Sequence, residues 1–417
     1  MSDNIEHSLN EAEKEPMAKI DHWDLAKKMD LFSQHDEAPG FPFYKENFII
    51  LRNELLNFWR EEHRKLGYQE IETPIILKND LWIKSGHWDY YKDNMYWFEN
   101  GDEIEVVKPM NCPGGVLVYK EDIHSYRELP LKIAELGQVC RRELSGNIQG
   151  LFRTRAFTID DAHIYLRADQ ISKAVAEVID LLEYIYQILG FNYQIALSTR
   201  PEKSIGSNEN WEKATKSLKQ VLDDKKLPYI IKEGEGAFYG PKIDFDIEDS
   251  LQRQWQCGTI QLDFNLPERF DLNYQNAEGE LEQVILIHRA IFGGIERFIA
   301  ILLEHFAGKL PLWLAPVQFL LLNIGDQNID YLKQVAAKLR LHSFRVKVDL
   351  RDESLNKRIR EGIIQRINYV IIIGDREEQT QTISIRRRDN KKVNNITLDK
   401  FLEQVCQERD QKILPKY

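Results

Sequence analysis

Apolar residues recur at helical spacing early in the chain. Phe48, Leu51, Leu55 and Phe58 fall on one stripe, which predicts a long helix from about Tyr44 to Leu66. The next stretch, YQEIETPIIL, alternates as a strand interrupted by Pro74. A proline cannot donate to a sheet ladder, so that point is an edge, a bulge or an interface. Leu131 to Arg142 reads as another strand, and ELSGNIQG after it as a turn or flexible loop. FRTRAFTIDDAHIYL, from Phe152 to Leu166, reads as the returning strand of an antiparallel hairpin. A helix near Gln170 to Leu189 follows, then strands that include GPKIDFDI and QWQCGTIQLDF. HRAIFGGIERFIAILLEHF reads as a buried helix, with Ile291, Ile295, Phe298, Leu302 and Phe306 at helical spacing. Its adjacent glycines weaken helix propensity and suggest close packing on a neighbour or ligand.

Beyond PLWLAPVQ the pattern becomes strand, helix, strand, helix, strand, strand, helix. The strands are VQFLLLNI, FRVKVDL, NYVIIIG and TISIRRR. Such alternation predicts a small α/β domain with a mostly parallel sheet. The expected organisation is a tail and lead-in over residues 1–40, a large domain over 41–315 and a small one over 316–417.

Length and composition agree with this division. A chain of 417 residues holds two or three domains, and 43% hydrophobic residues can build a large core. No window reaches the ~18–20 uncharged apolar residues of a membrane span, so no membrane role is expected. The N-terminal MSDNIEHSLNEAEKEP is acidic and polar, which predicts a disordered tail and no secretory signal. Cys112, Cys140, Cys257 and Cys406 form neither a disulfide framework nor a zinc-finger spacing. A cytoplasmic enzyme is the default reading. A net charge of −11 argues against an indiscriminate nucleic-acid binder, though SIRRRDNKK is a local basic patch.

The returning strand carries the candidate chemistry. Alternate side chains share a face, so Arg153, Arg155, Phe157, Ile159, Asp161, His163 and Tyr165 fall together. Guanidinium groups hold phosphates bidentately, and Arg141 on the outgoing strand offers a third. Phe157 could stack on a purine, while Asp161 and His163 offer a carboxylate and a metal ligand. That layout fits a nucleotide beside a metal-assisted pocket; it fits equally a solvated sheet face with ordinary ion pairs. The chain contains neither a GxxxxGK[ST] loop nor a GxGxxG turn opening a βαβ unit.

GHWDYYKDNM, KPMNCPGG, SYRELPLKIAELG, FTIDDAHI, LSTRPEKSIGS, GEGAFYGPKIDF, WQCGTIQLDF and HRAIFGGIERF together resemble the threonyl-tRNA synthetases of class II. The resemblance spans nearly the whole chain. It implies an α/β (α+β) catalytic domain over 41–315, built on the class II antiparallel sheet flanked by helices. A small α/β anticodon-binding domain with a mixed, mostly parallel sheet would follow over 316–417. The implied activity is ATP-dependent attachment of L-threonine to tRNA(Thr) through a threonyl-adenylate. The alternative is a paralogue that activates threonine or serine for another carrier, or acts in regulation.

Roles follow position by position from the resemblance. Pro74 would lie at a homodimer interface. Arg141 would hold the α-phosphate, Glu143 the adenine amino group and Arg153 the far phosphates. Phe157 would stack on adenine, and Arg297 would be the arginine of the third class II motif. Mg²⁺ would accompany ATP. Cys112, His163 and His288 would hold one Zn²⁺, although each alone reads as a small buried cysteine or a satisfied core histidine. Asp161 would accept from the threonine hydroxyl, Tyr239 and Gln256 would line the amino-acid pocket, and Lys242 would lie near its carboxylate. Taken alone, Tyr239 is a packed turn aromatic. His87 would assist removal of the ribose proton; taken alone it could cap a helix or join aromatic packing with Trp88 and Tyr90. Arg360, Glu377 and Arg386 would read or position the anticodon, although the arginine run is also a solvated edge strand.

Some positions depart from many members of the family. Ile159 and Gly115 stand where Gln and His are frequent, Leu144 and Gln149 alter the second-motif loop, and Asp352 replaces an Asn. Full-length bacterial members carry an N-terminal module and an editing domain that hydrolyses seryl-tRNA. About 40 residues precede the core here, so a short form without editing is expected, and zinc cannot reject serine.

Overall fold

A computed structural model describes residues 21–389 and 391–415. The expected disordered tail, residues 1–16, lies outside the described residues. The chain divides into two compact units. One comprises Pro39–Phe41 and Arg60–Ile299; the other comprises residues up to Ala38, Pro42–Trp59 and the chain from Ala300 onward. Among the described residues no helix is long and apolar enough to cross a membrane.

The larger unit is built on an eight-stranded sheet. Its strands are β1 (Gln69–Glu70), β2 (Leu131–Cys140), β3 (Ala156–Leu166), β4 (Asn192–Ser198), β5 (Tyr229–Lys232), β6 (Lys242–Glu248), β7 (Gln254–Asp263) and β8 (Ile285–Gly294). They lie in the order β5-β4-β6-β7-β8-β3-β2-β1. The β5–β4 and β1–β2 pairings are parallel, and the others are antiparallel. The β2–β3 hairpin forms as expected, with Glu135 opposite Asp161 and Ile133 opposite His163.

Helix α1 (Glu46–Lys65) matches the first apolar stripe. The short helix α2 (Cys112–Tyr119) starts with Pro113 in its first turn, where a missing N–H costs nothing. Helix α3 (Ile171–Leu189) buries Val175, Val178, Leu182, Ile185 and Tyr186. It approaches the sheet closely at Gly258, where an added Cβ would sit 2.6 Å from both Leu182 Cδ2 and the Tyr186 hydroxyl.

Two sequence expectations change. The segment from His288 to Phe306 is not one helix. It is the end of β8 followed by helix α4 (Ile295–His305), with Gly293 at φ +70° in the turn. The apolar run satisfied helical spacing by chance at its start, and pairing between β3 and β7 decides for strand. YQEIETPIIL splits at Pro74 into β1 and a three-residue strand, Ile76–Lys78, that joins a separate sheet. The lead-in contains an ordered helix, His22–Met29, capped by Asp21. Its His22 Nδ1 lies 2.7 Å from the buried Glu304 carboxylate.

In the other unit, strands β9 (Phe319–Asn323), β10 (Val346–Asp349), β11 (Tyr369–Ile373), β12 (Thr382–Arg387) and β13 (Lys392–Thr397) form a mixed sheet in the order β10-β9-β11-β12-β13. The first two pairings are parallel and the last two antiparallel. Helices α5 (Ile329–Leu341) and α7 (Leu398–Asp410) cover one face through Leu332, Val335, Leu339, Phe401 and Leu402. Helix α6 (Leu355–Ile364) covers the other through Ile359, packed with Leu320, Leu322 and Val370.

Candidate active site

Strands β3, β6, β7 and β8, with Arg141 just past the end of β2, wall a cavity of about 850 Å³. At one end the ligand atoms of Cys112, His163 and His288 lie within 4.8 Å of one another. His163 and His288 are directly opposed on β3 and β8, with ring centroids 5.0 Å apart, and Cys112 opens α2 beside them. His288 Nε2 is 2.9 Å from Asp263 Oδ2, at the end of β7. That bond leaves His288 Nδ1 buried without a partner, and His163 Nε2 is likewise unpartnered. One thiol and two imidazoles, one of them oriented by a carboxylate, fit a tetrahedral zinc site that keeps an open position. Burial pushes the Cys112 thiol well above its usual value, with Asp161 and Asp263 adding to the effect.

Asp161 shares the cavity face with Ile159 and Phe157, and burial raises its carboxyl to about 6. Asn111, the residue before Cys112, points its amide toward Asp161 Oδ2 at 3.5 Å. Gly137 makes room for it: a Cβ there would lie 2.1 Å from Asn111 Oδ1. The Tyr239 hydroxyl donates to Gln261 Oε1, and both residues line the cavity. Lys242 also lines it, with Nζ 2.9 Å from Asp244 Oδ2.

Arginines and aromatic rings occupy the other end. Arg141 sits over Phe157 at 5.1 Å and over Tyr91 at 5.7 Å, and its Nε donates to Pro109 O. Arg153 Nε donates to Glu143 Oε2 at 2.9 Å. Arg297 stacks on Trp255 at 5.5 Å, and its buried Nε has no hydrogen-bond partner.

The sequence of this scaffold matches the tRNA synthetase class II core domain (G, H, P, S and T) over residues 96–306. It matches an anticodon binding domain over residues 318–408. It is 51% identical over 394 residues to a threonine–tRNA ligase of Clostridium botulinum, covering 94% of this chain and 62% of that protein's length. A crystal structure of the RNA binding domain of threonyl-tRNA synthetase from Cryptosporidium parvum superposes with a TM-score of 0.90 at 40% identity, covering 93% of this chain and 98% of that one. The chain belongs to the threonyl-tRNA synthetase family. A Giardia lamblia prolyl-tRNA synthetase, at 17% identity and a TM-score of 0.74, shares the fold.

Within this synthetase fold several expected residues fall elsewhere. Arg155 leaves the cavity face because β3 begins at Ala156, so strand alternation does not reach back to it. Its guanidinium donates to Glu143 O and Pro39 O instead. Gln256 is not among the lining residues, but a bulge in β7 at Cys257–Gly258 sets it opposite Asp246, and it donates to Asp244 Oδ1 at 2.6 Å, the oxygen that the cavity-lining Thr259 Oγ1 also meets at 3.1 Å. His87 is fully buried and absent from the cavity wall. It packs edge-on against Trp82 and Phe238, with Nδ1 2.8 Å from Ser85 Oγ. Burial, helped by the charges of His288, Arg269 and Arg141, holds its pKa down to about 3. Its Nε2 is buried without a hydrogen-bond partner.

In the smaller sheet Arg386 lies opposite Val370, on the face covered by α6, which carries the exposed Arg360. Glu377 is mostly buried: Oε2 accepts from Gly374 N at 3.1 Å and Oε1 from Ser384 Oγ at 2.7 Å. Near Pro74, Ile75 and Ile76 are 44% and 49% exposed.

The sequence reading missed Tyr91, Asn111, Trp255, Gln261 and Asp263. Strand parity on QWQCGTIQLDF could have found Trp255 and Gln261. Asp263 and His288 are 25 residues apart, and only the sheet joins them.

Proposed function

We propose that this chain attaches L-threonine to tRNA(Thr) with ATP, through a threonyl-adenylate. The observation that carries the reading is the Cys112–His163–His288 cluster at one end of an arginine-lined cavity. These three residues would hold Zn²⁺, which when bound offers open coordination positions to an amino group and a β-hydroxyl. Asp161 accepts the hydroxyl hydrogen, and Tyr239 with Gln261 closes the pocket. Valine puts a methyl where threonine has its hydroxyl and leaves a buried polar site unsatisfied; a hydrophobic pocket alone discriminates such isosteres by only ~10²-fold. Serine satisfies the same groups, so the chain also forms seryl-tRNA.

At the nucleotide end Phe157 stacks on adenine, Glu143 accepts from its amino group, and Arg153 meets the far phosphates. Mg²⁺ enters with ATP. Arg141 and Arg297 offset the charge that develops as the threonine carboxylate, steadied by Lys242, attacks the α-phosphate and the bond to the β-phosphate breaks, releasing pyrophosphate. Residues 41–315 perform the chemistry, and residues 316–417 bind the anticodon, with Arg360 and Arg386 on the face that meets unpaired bases and Glu377 shaping it. The exposed Ile75 and Ile76 beside Pro74 suit a homodimer contact, and the setting is cytoplasmic.

ATP–pyrophosphate exchange across a panel of amino acids, followed by charging of tRNA, tests the reading. Exchange with threonine and serine but not valine is expected. Absence of threonine-dependent exchange by the zinc-loaded chain would overturn it.

A further inference from the structure

We infer that Asp160 is a positioning residue: it holds the irregular turn between β8 and α4 and thereby aims Arg297 into the cavity. The inference rests on the proposed nucleotide role of Arg297.

Asp160 is fully buried on β3, on the side away from the cavity that Ile159 and Asp161 face. β8 pairs with β3 through Ala290 opposite Asp161, loses register, and meets it again at Gly294 opposite Ile159. Three residues, Ile291, Phe292 and Gly293, therefore stand against Asp160 alone. Their amides have left the ladder, and a buried N–H without an acceptor costs roughly 1–3 kcal/mol. The Asp160 carboxylate takes all three: Ile291 N at 2.9 Å, Phe292 N at 3.0 Å and Gly293 N at 2.8 Å. The bulge also has its carbonyl side fixed, since the Tyr186 hydroxyl donates to Ile291 O at 2.7 Å.

A second clamp lies two residues past the glycines. Glu296 Oε2 accepts from Thr158 N at 2.8 Å, tying the first turn of α4 back to β3. Arg297 follows directly. Its own Nε has no partner, and it rests on the face of Trp255. The direction of the guanidinium is therefore set by the backbone that Asp160 and Glu296 hold. An apolar residue at 160 would leave three donors unmet; a carboxylate of this length serves them together.

The test is a double-mutant cycle on ATP affinity, measured by calorimetry on the zinc-loaded chain. Asp160→Asn keeps the shape but turns an amide N–H toward backbone donors. It should weaken ATP about tenfold in the wild-type background and less than about twofold in an Arg297→Ala background. Zinc content and the KM for threonine should stay unchanged. Equal weakening in both backgrounds, or none in a folded Asp160→Asn protein, overturns the inference. If Asp160→Asn does not fold, Glu296→Gln replaces it in the same cycle under the same criterion. A wild-type chain that binds no ATP would instead remove the proposed function.

Discussion

The Nε2–H of His288 donates to the carboxylate of Asp263 at 2.9 Å, 25 positions away in sequence. Asp263 is itself locked, because its other oxygen accepts the backbone amides of Asn265 and Leu266 at 2.7 and 3.1 Å. The imidazole is thus held in the tautomer that leaves Nδ1 free to bind a metal. Orienting carboxylates of this kind typically change metal affinity ~10–100-fold. Asp263→Asn should weaken zinc by about that factor in chelator competition, with Cys112 and His163 untouched. Unchanged affinity would mean that the bond does not prepare the ligand.

A buried ion pair ties the Pro74 segment to the same sheet. Lys108 Nζ donates to Glu135 Oε1 at 2.7 Å and to Thr73 Oγ1 at 2.9 Å, and the Thr73 amide also reaches Glu135. Lys108→Met strands a buried carboxylate and should cost ~3–5 kcal/mol. The double variant Lys108→Met/Glu135→Gln, which removes the charge but keeps an acceptor for Thr73, should recover most of that loss. Unfolding midpoints of the three proteins decide: a double variant as unstable as the single one would refute the account.

His87 separates two roles that the sequence left open. Its ring packs edge-on against Phe238, which lines the cavity, so a supporting role predicts that His87→Ala slows adenylate formation and transfer to tRNA alike. A transfer rate that falls more than about tenfold further than exchange would restore the proton-transfer role. The depressed pKa also sets a sign. The stability that comes from the neutral ring is present above the unfolded value of 6.5 and lost as the pH falls toward about 3. His87→Gln should therefore show a shallower acid limb in its pH–stability curve.

Selectivity gives a further expectation. With serine and threonine offered at equal concentration, both aminoacyl-tRNAs should form. Formation of threonyl-tRNA alone would contradict this.

The two-part architecture, the β2–β3 hairpin and the faces of Phe157, Asp161 and His163 were legible because strand alternation and burial coincide there. Resemblance assembled Cys112, His163 and His288, which no spacing rule joins. What stayed hidden depended on register. The strand character of His288–Gly294 lies in pairing with β3 and β7, while its apolar side chains suited either period. Arg155 was misplaced because alternation was carried across a strand start. Asp263 and Asp160 act through partners 25 or more residues away, a relation that only the folded sheet creates.

X-ray absorption at the zinc edge of the purified chain tests the central claim most directly. One sulfur at ~2.3 Å and two imidazole nitrogens at ~2.0 Å are predicted, with light-atom coordination rising when threonine is added. A chain that binds no stoichiometric zinc, or holds it without sulfur, would contradict the account.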